Sequence, residues 1–247
     1  MCDVCGCEGA LHEHVHADGT RHSHAHGEPH HHHGEVVALE QRIVAKNDAL
    51  AARNRAWLEE RGLHALNLMG APGAGKTALL ERTIRDLKAA RPLAIIEGDQ
   101  ATANDAARIR AAGAPVVQVN TGTGCHLDAD MVLDALRELE PPRGALVAIE
   151  NVGNLVCPAL FDLGEQRRVV VFSVTEGEDK PLKYPHMFRA AELVLLTKVD
   201  LLPHLDFDLE QAIEHARAVK PEVRVLALSA RSGEGLAAWY DWLRRIP

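Results

Sequence analysis

The stretch Gly70-Ala71-Pro72-Gly73-Ala74-Gly75-Lys76-Thr77 decides how this chain is read. It has the form G-x-x-x-x-G-K-[ST], follows the apolar run HALNLM at 64–69, and opens a helical pattern at 77–90. A phosphate cradle requires that strand–loop–helix setting. Glycines let successive backbone N–H groups turn inward around phosphate oxygens, and the following helix points the positive end of its dipole at them. Gly70, Gly73, Ala74 and Gly75 are assigned to the cradle, Lys76 to the β- and γ-phosphates, and Thr77 to a Mg²⁺ ion. The plain alternative is a glycine-rich turn. The motif alone does not choose between ATP and GTP.

Downstream, short apolar runs at 93–97, 116–119, 145–150, 169–174, 193–197 and 223–228 are separated by helical stretches, among them 102–112, 128–139 and 208–219. Nearly continuous apolar strands between helices predict an α/β fold of the P-loop NTPase kind, a mostly parallel sheet with helices on both faces. Residues 63–247 are read as that domain. Upstream, Val36, Ile43, Leu50 and Trp57 recur every seven residues, with Leu39 and Leu58 beside them, and Gly62 stands at a stop position. The spacing predicts an amphipathic helix over 35–62, packed on the domain through this stripe.

The run TKVD (197–200) follows the sixth strand. A carboxylate at Asp200 accepts from guanine N1–H and its 2-amino group together, donors that adenine lacks at that edge, and a required hydrogen bond of this kind discriminates by up to ~10⁴-fold. Lys198 would lay its stem along the base. The last strand leads into LSARSGEG (228–235), which resembles the loop that G proteins set against the guanine O6 and implies that role for Ser229 and Ala230. Thr197 stands where this motif more commonly has Asn, which predicts a weaker bond holding the loop. The base reading is GTP.

Two further strand ends carry acids. EGDQAT (97–102) offers Asp99 as a Mg²⁺ ligand or a group orienting the attacking water, or simply as a helix cap. ENVG (150–153) has the D-x-x-G pattern with Glu150 in the acidic position, and the Gly153 amide can bond the γ-phosphate and lose that bond on hydrolysis. Four residues on lies Cys157. The other cysteine outside the N-terminus, Cys125, precedes His126 after another strand end. Buried cysteines are usually small core residues. Here two thiols and an imidazole at one sheet edge suit Ni²⁺ or Zn²⁺, and three donors leave a position for water or a second subunit.

The front end, residues 1–34, holds three of the five cysteines and ten of the fifteen histidines. Low in large apolar side chains, it is expected to have no fold of its own without metal. Cys2, Cys5 and Cys7 lie close enough to share one ion. His12, His14, His16, His22, His24, His26 and the run His30, His31, His32, His33 predict several weaker, exchangeable sites. A purification tag is the plain alternative, against which stand the interspersed Asp, Glu and Gly. The net charge of −8 argues against nucleic-acid binding. No run is apolar enough to span a membrane, no signal-peptide pattern is present, and the clustered cysteines suit metal better than disulfides, so a cytoplasmic location is expected.

Together GAPGAGKT, EGDQAT, VNTGTGCHLDA, ENVGNLVCP, SVTEGEDKPLKYPHMF and KVDLLP resemble the HypB family, GTPases that assist nickel insertion into [NiFe]-hydrogenase; the likeness covers about residues 35–247. MCDVCGC is similar to the CxxCxC nickel site of some members, and the histidine stretch to the nickel-storing insert of others. The resemblance implies a nucleotide-dependent homodimer with a Ni or Zn site at its interface, on the residues matching Cys125, His126 and Cys157. It implies HypA as partner, SlyD in some organisms, and the hydrogenase large-subunit precursor as destination. Other readings are a metal-storage protein with a regulatory GTPase domain, the urease-type nickel GTPase that shares the core, and a small-molecule ATP kinase.

Overall fold

The structure, a computed structural model, describes residues 14–15, 21–22, 32–87, 89–99, 104–122 and 124–247, with side chains from residue 42 onward except that of Asp99. Two units are distinguished, 1–45 and 46–247. In the first, β1 (His14–Val15) and β2 (Arg21–His22) pair antiparallel with His14 opposite His22. Alternating residues suit a strand, and the sequence reading had no pairing there. Helix α1 (His32–Glu60) begins earlier than expected, so the backbones of His32 and His33 belong to it. The candidate ligands Cys2, Cys5, Cys7, His12, His16, His24, His26, His30 and His31 lie outside the described residues, as do the side chains of His14, His22, His32 and His33.

In the second unit seven strands form one sheet: β3 (His64–Met69), β4 (Leu93–Asp99), β5 (Val116–Asn120), β6 (Leu146–Glu150), β7 (Arg167–Ser173), β8 (Leu193–Thr197) and β9 (Arg224–Ala227). The order is β5-β4-β6-β3-β7-β8-β9 with every neighbour parallel, so all the loops after strands open at one edge. Side chains alternate along each strand, and both faces are covered. Leu66, Leu68, Ile95 and Val171 enter a core with α2 (Lys76–Leu87), α3 (Asn104–Ala112) and α9 (Leu236–Arg244). On the other face, Ala65, Ile96 and Ile149 pack with the end of α1 and with α4 (Ala129–Leu139). Met69, Val170 and Phe172 pack there with α7 (Pro185–Ala190) and α8 (Leu209–Val219). Two one-turn helices, α5 (Cys157–Leu160) and α6 (Lys180–Lys183), were not expected from periodicity, which needs longer runs.

The face that α1 turns inward differs from the heptad stripe. Leu58, expected beside the stripe, is buried, and so are Asn47, Ala51 and Asn54, whereas Ile43 is 46% exposed and Leu50 and Trp57 are only partly covered. The two asparagines are buried because each finds backbone partners, which a count of apolar residues does not register. The helix ends as predicted at Gly62, whose N–H bonds Glu59 O while Leu63 N–H bonds Leu58 O, a Schellman cap. We expect Leu58→Ala to cost about 2–5 kcal/mol in urea unfolding, and Ile43→Ser to stay within about 0.5 kcal/mol of the parent. A larger loss at Ile43 than at Leu58 would restore the heptad stripe as the packing face.

Candidate nucleotide and metal site

The phosphate loop leaves the end of β3, the middle strand of the sheet, and runs into the first turn of α2. Lys76 and Thr77 are buried. Lys76 Nζ donates to the carbonyls of Gly70 and Ala71 at 3.2 Å each. Thr77 Oγ1 donates to Glu150 Oε1 at 2.7 Å. The ENVG loop lies directly on the cradle: Gly70 forms a bridge with Asn154, and a Cβ at Gly153 would come 2.8 Å from Pro72 Cγ. Only glycine permits that approach.

A cavity of about 410 Å³ opens over these groups, lined among others by Lys76, Thr77, Glu97, Asp105, Arg108 and Glu150. Glu150 is 6% exposed at the end of β6. Burial raises its pKa to about 7, opposed by the nearby Lys76 ammonium and the Thr77 hydrogen bond. Glu97, 2% exposed, stands beside it in the β4–β6 register. The hydroxyl of Thr77 and the carboxylate of Glu150 are hard oxygen donors at one point, a donor set that suits Mg²⁺. Asp99, the sequence candidate for that ion, ends β4 with its backbone opposite Asn120, and its side chain lies outside the described residues. Sequence reasoning missed Glu97, although period-two alternation puts it on the same strand face as Asp99. It also missed Asp105 and Arg108, joined at 2.8 Å, for which no motif gives a signal.

A second cavity, about 200 Å³, lies between Gly75, Thr197, Lys198, Asp200, Ser229 and Ala230. Asp200 Oδ1 accepts from Ser229 Oγ at 2.5 Å, and Ser229 Oγ in turn accepts from the N–H groups of Arg231 and Ser232. Arg82, paired to Asp86, donates to Ala230 O at 3.2 Å. The expected weakness at Thr197 is not found. Its hydroxyl donates to Ala74 O at 2.6 Å, so the shorter side chain makes the bond that holds the phosphate loop.

After β5 and β6, the sheet edge brings together Cys125, His126 and Cys157, with one ligand atom from each within 4.8 Å of the others. The two Sγ atoms are 2.9 Å apart, and Cys125 Sγ is 3.7 Å from His126 Nδ1. His126 stacks on Phe161 with centroids 3.9 Å apart. Burial holds its pKa below the ordinary value, with Asp128 pulling the other way, which favours the neutral imidazole a metal requires. Two thiols and an imidazole form a soft-to-borderline donor set that fits Ni²⁺ or Zn²⁺ and leaves coordination open.

A parallel sheet with a phosphate loop after its middle strand defines a P-loop nucleotide-binding protein. The CobW/HypB/UreG nucleotide-binding domain matches residues 64–227. The chain is 61% identical over 210 residues to hydrogenase maturation factor HypB of Azotobacter vinelandii, across 85% of this chain and 69% of that one. HypB from Archaeoglobus fulgidus superposes with a TM-score of 0.77 at 40% identity, covering 82% of this chain and 98% of that one. HypB from Helicobacter pylori, solved in complex with nickel, gives 0.75 at 38% identity, covering 81% and 94%. The chain belongs to the CobW/HypB/UreG family, in its branch of HypB hydrogenase maturation factors.

The Glu150 carboxyl yields a pH signature. Its folded pKa of about 7 lies above its ordinary value of 4.5, so the native state holds the proton more tightly and stability declines as pH rises between those values. The decline expected without nucleotide or Mg²⁺ is on the order of 3 kcal/mol. Urea unfolding at pH 5 to 8 should show it in the parent, with a markedly flatter profile in Glu150→Gln.

Proposed function

We propose that the chain is a GTP-hydrolysing nickel metallochaperone that assists loading of the [NiFe]-hydrogenase large-subunit precursor. The observation that carries this reading is the short span joining two sites: Glu150 bonds Thr77 in the phosphate cradle, and seven residues later Cys157 meets Cys125 and His126. Asn151, next to Glu150, accepts from Leu127 N–H at 3.3 Å and so touches the residue after His126. Nucleotide and cargo metal would thus act on one segment.

Catalysis in this reading is positioning and electrostatics. The cradle N–H groups and Lys76 hold the β- and γ-phosphates. Thr77 and Glu150 would hold Mg²⁺, which neutralises phosphate charge when bound, with Asp99 or Glu97 orienting the attacking water. Gly153 N–H would bond the γ-phosphate and release it on hydrolysis, moving the 150–157 segment and changing the hold on nickel. Asp200, Ser229, Ala230 and Lys198 select guanine. Zn²⁺ would compete for the same thiolates. Val156 and Leu160, 43% and 53% exposed beside Cys157, support a homodimer that covers this edge and completes the coordination. HypA, SlyD and the precursor remain the expected partners, the histidine stretch a nickel store, and the cytoplasm the compartment. Among the described residues, no helix is long and apolar enough to cross a membrane.

Lys76→Ala should abolish GTP hydrolysis and hydrogenase maturation at limiting nickel; full maturation in that background would sink the proposal. Ni²⁺ titration under GDP and under a non-hydrolysable GTP analogue should give unequal affinities, and equal ones would remove the coupling. Removing the base-reading carboxylate, as in Asp200→Ala, should weaken GTP at least ~100-fold and bring GTP-over-ATP preference close to parity in a competition assay.

A further inference from the structure

Helix α1 touches both segments that carry the Cys/His cluster, and it does so through polar groups. Asn47, 5% exposed, donates from Nδ2 to Asp162 O at 2.7 Å, while its Oδ1 accepts from Ala129 N–H at 2.9 Å. About two turns further on, Asn54, 0% exposed, donates from Nδ2 to Ala129 O at 2.7 Å and to Leu163 O at 2.9 Å. Ala129 lies three residues past His126 and opens α4, where its N–H has no partner within the helix. Asp162 and Leu163 follow α5, the one-turn helix that begins with Cys157. Each asparagine therefore clamps the Cys125-His126 segment to the Cys157 segment.

Two other contacts fix the clamp. Arg55 pairs with Asp162 at 2.7 Å. Gly164 packs so closely on α1 that a Cβ there would lie 2.5 Å from Asn54 Cβ and 2.7 Å from Ala51 O. The segments leave β5 and β6, which are separated in the sheet by β4, so no ladder pair sets the distance between Cys125 and Cys157. The burial of two amides on one helix face is otherwise costly, since apolar residues would pack there without needing partners.

We propose that Asn47 and Asn54 are positioning residues for the Cys125/His126/Cys157 site: they hold the two thiols and the imidazole at binding distance from outside the site. The inference rests on the metal reading for its purpose, but the positioning can be measured without metal. In the full chain carrying Cys2→Ala, Cys5→Ala and Cys7→Ala, Cys125 and Cys157 are the remaining cysteines. Diamide then oxidises the pair to a disulfide at a rate set by their proximity, and Ni²⁺ added to the reduced chain gives a thiolate charge-transfer band from them alone. Asn47→Ala and Asn54→Leu should each slow disulfide formation at least ~10-fold and weaken the Ni²⁺ band by a similar factor. Nucleotide affinity should stay within about twofold of the parent. Leu58→Ala, on the same buried face but outside the clamp, serves as the control for lost stability and should leave both readouts near the parent's. Unchanged disulfide rates in the asparagine variants would overturn the proposal, as would an equal loss in Leu58→Ala. Rates that fall as expected in a parent showing no Ni²⁺ band would uphold the clamp and overturn the metal reading.

Discussion

A carboxyl group buried at the end of β6 must be kept neutral or be matched by charge, and the working edge of this protein is arranged around Glu150 for that reason. Thr77 donates to it and Lys76 lies close by, so the first turn of α2 and the end of β6 are held to one another at the floor of the phosphate cavity. That tie fixes where the ENVG loop starts. The loop then packs on Pro72, bridges back to Gly70, and delivers Cys157 to the Cys-His pair that follows β5, two strands away. An acid with a pKa near neutrality is also sensitive to any cation placed beside it, because the ion's field favours the charged form. A divalent ion held there would therefore release the Glu150 proton to solvent and take its place.

A buried polar chain continues from this point into the second core. Asn151 donates to Asn67 Oδ1, Asn67 donates to Glu165 Oε1, and Glu165 accepts from Arg168 and from Leu163 N–H. Burial pushes the Glu165 carboxyl up, and Arg168 pulls it down. This chain separates the two apolar clusters on that face of the sheet. Satisfied networks of this kind specify one arrangement at the cost of strict geometry, which fits a protein that must hold two loops in register.

What was legible in the sequence was what local rules encode. GAPGAGKT needed only its spacing and the strand before it, and the apolar runs gave every strand of the main sheet to within a few residues, because two-sided burial leaves continuous apolar stretches. The cysteines at 125 and 157 could be placed at one edge once the strands were taken as parallel. The rest depends on contacts between distant residues. The inward face of α1 was misread because Asn47 and Asn54 count as polar until their partners at 129, 162 and 163 are known. Thr197 looked like a weak substitute until Ala74 O was found within reach. Glu97 carried no motif, and its neighbour Asp99 drew the assignment. The pairing of β1 with β2 was missed although the five residues between them include Asp18-Gly19, a dipeptide that favours hairpin turns.

The strand order has an evolutionary reading. With β3 in the middle, the phosphate loop occupies the centre of the edge, the cavity lined by Asp200 and Ser229 falls on the β8–β9 side, and the thiols lie on the β5–β4–β6 side. A substitution at the Cys/His cluster therefore acts on loops that do not line the Asp200 cavity, and the reverse is equally true. Under the proposed function, such a layout would let a lineage exchange the ion it handles while inheriting its nucleotide chemistry intact, since only the 150–157 segment would serve both.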